Sequence, residues 1–386
     1  MAKFNLVYLG VFCFVSSFLL YSASLLEHSH PSKDGGQGAE SSYRAYLFGS
    51  VSTTAEEDVS VATPATCNVS VHTPSKVTNS SQSTHGKAES KMAKAASEAF
   101  MKLQYTLDGS DTLRDRYFTE PPLFEMGRDT KTFTRYLEAI LSDTAIDRKP
   151  FRDLLREFFP WWMPSANSTY LPWEPRSTPK TGIVLTAGQG NFVLAAHCVR
   201  VLQHVVNSTL PIQVFYSGNK DLPEVKREEL RSLHPRLETI DILNQQFNET
   251  SAGLENSGYA MKPFAALASS FDRVILIDAD SIFLQRPDAY FNEHAGLNKT
   301  GLHYFHDRVI KGRDTVEWVK NNMRGARPSK ALSEGMFWQH ELEHQQESGV
   351  VFINKAIPSA FMSLLYTTYM NNQVPRDKIY QNVVGK

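Results

Sequence analysis

Phe271-Asp-Arg-Val-Ile-Leu-Ile-Asp-Ala-Asp280 is the segment from which the architecture of this 386-residue chain can be predicted. Its four consecutive apolar residues, Val274 to Ile277, are typical of a strand that is buried on both faces, as in a parallel sheet. Asp278 and Asp280 follow, and their spacing of two predicts that both carboxylates lie on one side of an extended backbone. Neighbouring carboxylates raise each other's pKa unless a cation lies between them. A divalent metal, with a diphosphate as its second partner, is the simplest such cation. The alternative is a carboxylate pair that caps the next turn.

The segments around this strand predict an α/β domain. Short apolar runs bounded by turn residues indicate strands, and longer apolar runs indicate helices. The predicted strands are 182–186, 210–216 and 238–243, and the predicted helices are 192–206 and 262–270. Alternating strands and helices build a doubly wound, mostly parallel sheet flanked by helices, which we place at residues 179–386.

The N-terminal part of the chain differs from the rest in composition. Residues 4–26 form an uncharged, largely apolar run that is long enough to cross a hydrocarbon core as a signal-anchor helix. Lys3 precedes the run, so the positive-inside rule predicts a cytosolic tail at residues 1–3 and a luminal chain after the anchor. A cleaved signal peptide, with small residues at Ser22-Ala-Ser24, is the alternative. Residues 27–88 are rich in Ser, Thr, Gly and Ala, and this composition predicts a disordered stem.

Residues 89–178 predict a helical N-terminal region. Apolar residues recur at helical spacing in 91–107, 130–142 and 151–159, and Pro160 ends the last of these segments. The cluster Phe158-Phe-Pro-Trp-Trp162 is typical of packing in a core or between lobes. A platform that stacks on a sugar is its functional alternative.

Glycosylation signals agree with a luminal placement. Six Asn-x-Ser/Thr sequons occur, at Asn68, Asn79, Asn167, Asn207, Asn248 and Asn298. Of the three cysteines, Cys13 lies in the predicted anchor, and Cys67 and Cys198 are so far apart in sequence that we do not predict a disulfide between them. No Cys/His pattern indicates a structural zinc site. The net charge of −1 indicates neither a nucleic-acid binder nor an electrostatic membrane binder.

A glycine turn is the next candidate for ligand binding. Gly188 and Gly190 lie between a predicted strand and a predicted helix, where backbone N–H groups could meet a phosphate. A tight turn with no ligand is the alternative. The segment lacks the third glycine of a dinucleotide fingerprint and the Gly-Lys-Ser/Thr of a P-loop, which disfavours a hydride-transfer enzyme and a P-loop ATPase.

Four charged residues complete the set of candidates. Lys262 and Arg308 could add positive charge beside a diphosphate, and Asp307 could hold a sugar hydroxyl or orient Arg308. Glu347 enters an apolar strand and is a candidate acid/base or ligand of an acceptor hydroxyl. Taken singly, each is better explained as a surface residue or a structural ion pair than as a functional residue.

Taken together, these segments resemble the fungal α-1,3-mannosyltransferases of the Golgi. The resemblance covers roughly residues 178–385, and the block from Lys262-Pro-Phe to Asp278-Ala-Asp280 is its most specific part. It implies a GT-A fold and a single-pass type II protein of the Golgi membrane, with its catalytic domain in the lumen and a Golgi transferase complex as an expected partner. The segments that carry it are Gly182-Ile-Val-Leu-Thr-Ala-Gly, Leu210-Pro-Ile-Gln-Val-Phe-Tyr, Tyr259-Ala-Met-Lys-Pro-Phe-Ala-Ala-Leu-Ala-Ser-Ser-Phe, Val274-Ile-Leu-Ile-Asp-Ala-Asp, Phe305-His-Asp-Arg and Glu347-Ser-Gly-Val-Val.

The resemblance also implies a reaction. Members of that family transfer mannose from GDP-mannose to a terminal mannose of a glycoprotein glycan, with retention at the anomeric carbon and with Mn²⁺. Asp278 and Asp280 would then hold Mn²⁺ at the donor diphosphate. The glycine turn and the two cations would face the donor, and Glu347 or Asp307 would act on the acceptor hydroxyl. Two alternatives stay open: an inactive glycan-binding relative that scaffolds an active partner, and a transferase that uses a UDP-sugar.

One departure from the family's pattern concerns the end of the chain. The pattern continues with a Gly-Asp-Lys-Glu-Thr-Phe-Trp-like segment where this chain reaches Val384-Gly-Lys386. GT-A enzymes often draw a further metal or diphosphate ligand from that part of the domain. From this pattern we expect impaired or absent activity unless the further ligand is supplied otherwise.

Overall fold

The computed structural model describes residues 93–103, 123–164, 170–174, 176–245, 247–248, 252–255, 257–307, 314–322, 328, 330–339 and 346–377. Several predictions fall outside the described residues: the anchor at 4–26, the stem at 27–88, Cys13, Cys67, Arg308 and the sequons at Asn68, Asn79 and Asn167. Among the residues that are described, no helix is both long enough and apolar enough to cross a membrane.

A six-stranded sheet forms the centre of the fold. Its strands lie in the order β3-β2-β1-β4-β6-β5. The first four strands of the chain are mutually parallel, whereas β6 is antiparallel to both of its neighbours, β4 and β5. The predicted mixed α/β domain with a mostly parallel sheet is confirmed. The strands are β1 Thr181–Thr186, β2 Ile212–Tyr216, β3 Leu237–Asp241, β4 Arg273–Ile277, β5 Leu302–His306 and β6 Gln346–Asn354.

Helices flank this sheet on both faces. The helix at Phe192–Arg200, α4, continues as a π-helical turn at Val201–Val205, so the predicted helix 192–206 is present with a widened last turn. Shorter helical turns include Gly218–Asp221 after β2, Gly258–Ala260 before the helix at Met261–Ala268, and Pro287–Ala289 after β4. The helices are α1 at residues 93–103, α2 Leu123–Ser142, α3 Lys149–Phe158, α4 Phe192–Arg200, α5 Glu224–Leu233, α6 Met261–Ala268, α7 Ala295–Thr300, α8 Asp314–Asn322 and α9 Pro358–Met370.

Each face of the sheet has its own hydrophobic cluster, and β4 contributes to both. Val274 and Leu276 pack in the cluster that contains α6 and α9, whereas Ile275 and Ile277 pack in the cluster that contains α4. All four side chains are at most 1% exposed. Because successive residues of a strand point to opposite faces, an unbroken apolar run is what a strand between two helical layers requires. The prediction of a strand buried on both faces is confirmed.

The helices before β1 share the core of the α6/α9 face. The ring of Phe159 lies edge-on to Tyr366, with 5.1 Å between centroids, and that of Trp161 lies edge-on to Phe264 at 5.9 Å. Trp161 is 0% exposed and Trp162 is 2% exposed. A buried indole cannot stack on a sugar, so the core interpretation of the cluster at 158–162 is confirmed and the platform alternative is wrong.

Asp288 ties the segment after the π-helical turn to the loop after β4. Its carboxylate accepts hydrogen bonds from Ser208 Oγ at 2.7 Å, from the Thr209 N–H at 2.9 Å and from Thr209 Oγ1 at 2.8 Å. Arg286 adds a fourth donor at 3.0 Å. Burial raises the pKa of Asp288, but the hydrogen bonds outweigh burial and lower the pKa to about 2.

We expect Asp288→Asn to reduce the free energy of unfolding by about 1–2 kcal/mol at pH 7. Because the folded pKa lies below the unfolded value of 3.8, the stabilisation by this carboxylate is complete above that value and is lost as the pH falls through about 2. Urea denaturation at pH 7 and pH 3 measures the effect. The difference between wild type and variant should fall to about half at pH 3. An equal difference at both pH values would contradict the assignment.

Candidate functional site

The carboxyl ends of β1 to β4 lie at one edge of the sheet, which we call the carboxyl edge. β2 and β3 lie on one side of β1, and β4 lies on the other side. Such a reversal of strand order is where ligands bind in open α/β sheets. Leu185 of β1 is paired with Ile277 of β4, so the turn 187–191 and the segment from Asp278 to Asp280 leave the sheet side by side at this reversal.

Asp278 lies in a largely buried ion pair with Lys262. Lys262 Nζ is 2.5 Å from Asp278 Oδ1, and the two side chains are 4% and 18% exposed. The same ammonium donates to the carbonyl oxygen of Ser348 at 3.4 Å, which links α6 to β6. Burial raises the pKa of Asp278, Lys262 opposes that rise, and Asp280 and Glu347 add to it. Lys262 therefore acts as the counter-ion of Asp278 inside the protein.

Asp280 has a different environment. The strand ends at Ile277, and the Ser281 N–H donates to the Asp278 carbonyl at 3.0 Å, which closes a turn. The extended backbone assumed in the prediction therefore does not continue past Ile277, and the two carboxylates are not equivalent. Asp280 is exposed, whereas the side chain of Asp278 is only 18% exposed.

This arrangement supplies only part of a metal's coordination shell. In the part of the chain that the structure describes, no group of three or more His, Cys, Asp or Glu side chains is placed to hold a metal ion. Hard divalent cations at nucleotide sites typically take one or two carboxylates and complete their shell with phosphate oxygens and water. The exposed Asp280 carboxylate, with Asp278 next to it, fits that pattern.

Two other predicted acids lie at the same edge. Glu347 is at the start of β6, next to the end of β4, and its Oε1 accepts the Gly349 N–H at 2.7 Å. Asp307 directly follows β5 and is 8% exposed. Since His306 is paired with Gln346, Asp307 lies on the far side of β6 from Asp278. Chain topology therefore brings Lys262, Asp278, Asp280, Glu347 and Asp307 to one edge.

The glycine turn already uses most of its donors. The Gly188 N–H donates to Asn191 Oδ1 at 2.7 Å, and the Gln189 N–H donates to the Asp221 carbonyl at 2.7 Å. A Cβ at Gly188 would overlap Asp221 Oδ1, whereas a Cβ at Gly190 would meet open space. The close approach of Asp221 explains glycine at position 188. Phosphate binding by this turn stays a prediction.

Three residues at this edge were absent from the predicted set. Ser281 Oγ donates to the Gly349 carbonyl at 3.1 Å and joins the loop after β4 to β6. Tyr259 is 49% exposed, and its ring centroid is 5.7 Å from Lys262 Nζ. Asp221 packs against the glycine turn. No sequence motif predicted that these three residues lie at the site. For Tyr259, the one available signal was its position three residues before Lys262 in the sequence.

The remaining predicted sites lie on the surface or in the core. Asn207, Asn248 and Asn298 are exposed, and their glycosylation stays a prediction. Cys198 is a free, buried thiol on α4. Burial raises the pKa of this thiol to about 12, with a further contribution from Asp280.

Comparison with known proteins identifies related sequences. A family model described as "Mannosyltransferase putative" matches residues 180–386. The "Putative alpha-1,3-mannosyltransferase MNN1" of Candida albicans is 28% identical over 231 residues, which are 49% of this chain and 28% of that protein. The "Alpha-1,2-mannosyltransferase MNN2" of Saccharomyces cerevisiae is 31% identical over 130 residues, which are 33% of this chain and 21% of that protein. This chain spans less than a third of the length of these relatives.

Similarity to solved structures is low. The mannosyltransferase Ktr4p of S. cerevisiae is 10% identical, with a TM-score of 0.34 over 70% of this chain and 77% of that chain. The galactosyltransferase LgtC, solved with donor and acceptor sugar analogues, is 14% identical, with a TM-score of 0.31 over 53% of this chain and 66% of that chain. Similarities at these TM-scores do not establish a shared function.

Proposed function

This chain belongs to the mannosyltransferase family whose model matches residues 180–386, and we propose that it transfers mannose from GDP-mannose to a terminal mannose of a glycoprotein glycan. The observation that carries the proposal is the position of Asp278, paired with Lys262, and of the exposed Asp280 two residues later, at the point where strand order reverses. Ligands of open α/β sheets bind at that point. Family membership supports mannose as the transferred sugar. The carboxyl edge is where we propose that the nucleotide of the donor binds.

Mn²⁺ is the proposed cofactor. Asp280 would hold the ion, because its carboxylate is exposed and oxygen ligands suit this metal. Asp278 would support the site from a more buried position, since Lys262 already balances the charge of its carboxylate. When bound, the ion neutralises the charge that develops on the diphosphate leaving group.

The residues of the chain itself position the acceptor. One oxygen of Glu347 is held by the Gly349 N–H, which fixes the carboxylate and leaves its other oxygen to accept a hydrogen bond from an acceptor hydroxyl. Asp307 is the second candidate for this role. The exposed ring of Tyr259, next to Lys262, offers an apolar face against which a pyranose ring can pack.

Linkage and compartment are part of the same proposal. We propose an α-1,3 linkage with retention, and the relatives compared above include both α-1,3- and α-1,2-mannosyltransferases. We also propose a type II protein of the Golgi membrane, anchored by residues 4–26. The uncharged apolar run at 4–26 and the exposed sequons at Asn207, Asn248 and Asn298 support a luminal domain.

A transfer assay tests this proposal. The full chain is incubated with Mn²⁺, an α-linked mannobiose acceptor and one of three donors: GDP-mannose, UDP-glucose or UDP-galactose. We expect any trisaccharide, detected by mass spectrometry, to form from GDP-mannose and not from either UDP-sugar, and to be removed by a mannosidase specific for α-1,3 linkages. Product from a UDP-sugar would contradict the proposal that GDP-mannose is the donor. Sensitivity of the product to an α-1,2-specific mannosidase would contradict the proposed α-1,3 linkage. Binding of GDP-mannose without transfer would favour the inactive relative.

A further inference from the structure

Lys262 balances a carboxylate at the place where we propose that a metal binds. Its Nζ lies 2.5 Å from Asp278 Oδ1 and 3.4 Å from the carbonyl oxygen of Ser348. The lysine side chain is 4% exposed, so water does little to balance the charge of this ammonium and the contact with Asp278 is needed for that purpose. Asp278 and the exposed Asp280 together offer two negative charges, and Lys262 already balances one of them.

A second buried lysine has a different set of partners. Lys355 is 0% exposed, and its ammonium donates to the carbonyl oxygens of Ala266 at 3.0 Å, Leu267 at 3.4 Å and Ser269 at 2.8 Å, and to Ser269 Oγ at 3.0 Å. These neutral oxygens lie at the end of α6, whereas Lys262 lies in the first turn of the same helix. Because the acceptor of Lys262 is a carboxylate at the carboxyl edge, its ammonium competes with any other cation for Asp278.

This competition weakens the site for a divalent cation when no nucleotide is present. Such a cation at a nucleotide site takes one or two carboxylates and completes its shell with phosphate oxygens and water. With Lys262 on Asp278, the site offers one unbalanced carboxylate, that of Asp280, next to an ammonium that repels a second cation. A diphosphate would add negative charge and would also offer the ammonium a second anion.

We infer that Lys262 makes metal binding depend on the nucleotide. In the absence of a nucleotide, the ammonium keeps Asp278 from attracting a divalent cation. When the donor diphosphate binds, Lys262 has two anions to balance, so it balances Asp278 less completely and this carboxylate can attract the metal. A lysine suits such sharing, because it is a point charge on a flexible stem with three N–H donors. The inference rests on the proposed function, which brings a diphosphate and Mn²⁺ to the carboxyl edge.

Electron paramagnetic resonance of Mn²⁺ in the presence of the full chain, with and without GDP, tests the inference, because the free ion is measured directly. We expect GDP to raise the Mn²⁺ affinity of wild type about 10- to 100-fold, the usual range for coupling between two ligands. Lys262→Met should raise the affinity without GDP about tenfold and change the affinity with GDP by less. GDP should therefore have a smaller effect on Mn²⁺ binding in this variant than in wild type.

Three further variants show whether the effect depends on the ion pair. Lys262→Met combined with Asp278→Leu removes both charges, so its Mn²⁺ affinity without GDP should return to about the wild-type value. Lys220→Met removes an exposed positive charge and should match wild type with and without GDP. Lys262→Gln removes the same charge as Lys262→Met and keeps an N–H donor, so it replaces that variant if circular dichroism shows that Lys262→Met is not folded.

Two results would overturn the inference and leave the proposed function standing, provided that GDP tightens Mn²⁺ binding by wild type. One is an unchanged Mn²⁺ affinity without GDP in a folded Lys262 variant. The other is an increase that is equal with and without GDP, since Lys262 would then act as a fixed charge and not as one that the nucleotide shares. If GDP does not change the Mn²⁺ affinity of wild type, both the inference and the proposed metal-dependent function are wrong.

Discussion

Asp280→Asn is expected to lower the affinity of the GDP-bound protein for Mn²⁺ about 100-fold and to reduce mannose transfer about 10²- to 10³-fold. Asp280 is the exposed carboxylate of the pair, and Asp278 is already balanced by Lys262. The substitution removes the charge and keeps the shape of the side chain. Because the remaining carboxylate is shared with an ammonium, little negative charge would be left to hold a divalent ion.

Electron paramagnetic resonance of Mn²⁺ measures the free ion directly, so the loss of affinity can be observed without turnover. Glu293→Gln is the control, since Glu293 is exposed, lies outside the site and loses the same charge. That variant should match wild type. If Asp280→Asn retains wild-type Mn²⁺ affinity in the presence of GDP, Asp280 is not the residue that holds the metal.

Lys262→Met is expected to reduce the free energy of unfolding by about 3 kcal/mol. The ammonium of Lys262 is nearly inaccessible and lies 2.5 Å from Asp278, so its removal leaves a largely buried carboxylate without a counter-ion. The methionine chain fills a similar volume, which limits the contribution from lost packing. Urea denaturation at pH 7 measures the change.

A double-mutant cycle separates the ion pair from the packing. Lys262→Met combined with Asp278→Leu removes both charges, and the combined variant should be more stable than the sum of the two single changes predicts. Lys220→Met serves as the control for an exposed lysine and should change stability by about 0.5 kcal/mol or less. Additive single changes would show that the two side chains do not stabilise each other.

The sequence was sufficient for those parts of the fold that depend on local pattern. The run from Val274 to Ile277 predicted a strand buried on both faces, which is observed, whereas the ligand site predicted from its position before two carboxylates stays a prediction. Both inferences use only side-chain alternation and the tendency of α/β sheets to bind ligands at strand ends.

The contacts between distant segments could not be predicted in this way. Lys262 would ordinarily be exposed, and only the packing of α6 against the sheet buries it next to Asp278. The glycine turn suggested phosphate binding, yet Gly188 is explained by the close approach of Asp221 from the turn after β2. A single sequence contains no signal for such pairs, because each depends on which strands lie next to each other.

The backbone at the site also differed from the simplest expectation. Alternation along an extended chain would place Asp278 and Asp280 on one side, but the turn closed by the Ser281 N–H ends the strand first. The two carboxylates then occupy different environments, one paired with Lys262 and one exposed. A spacing of two places side chains on one side only while the strand continues, and here the turn at Asp278 interrupts it.

Calorimetric titration of GDP-mannose into the full chain, with and without Mn²⁺, is the most direct test of a metal-dependent nucleotide-sugar site at the carboxyl edge. We predict saturable binding of GDP-mannose that requires Mn²⁺, and weaker binding of UDP-glucose and UDP-galactose under the same conditions. Binding that is equally tight without the metal, or a preference for a UDP-sugar, would contradict it.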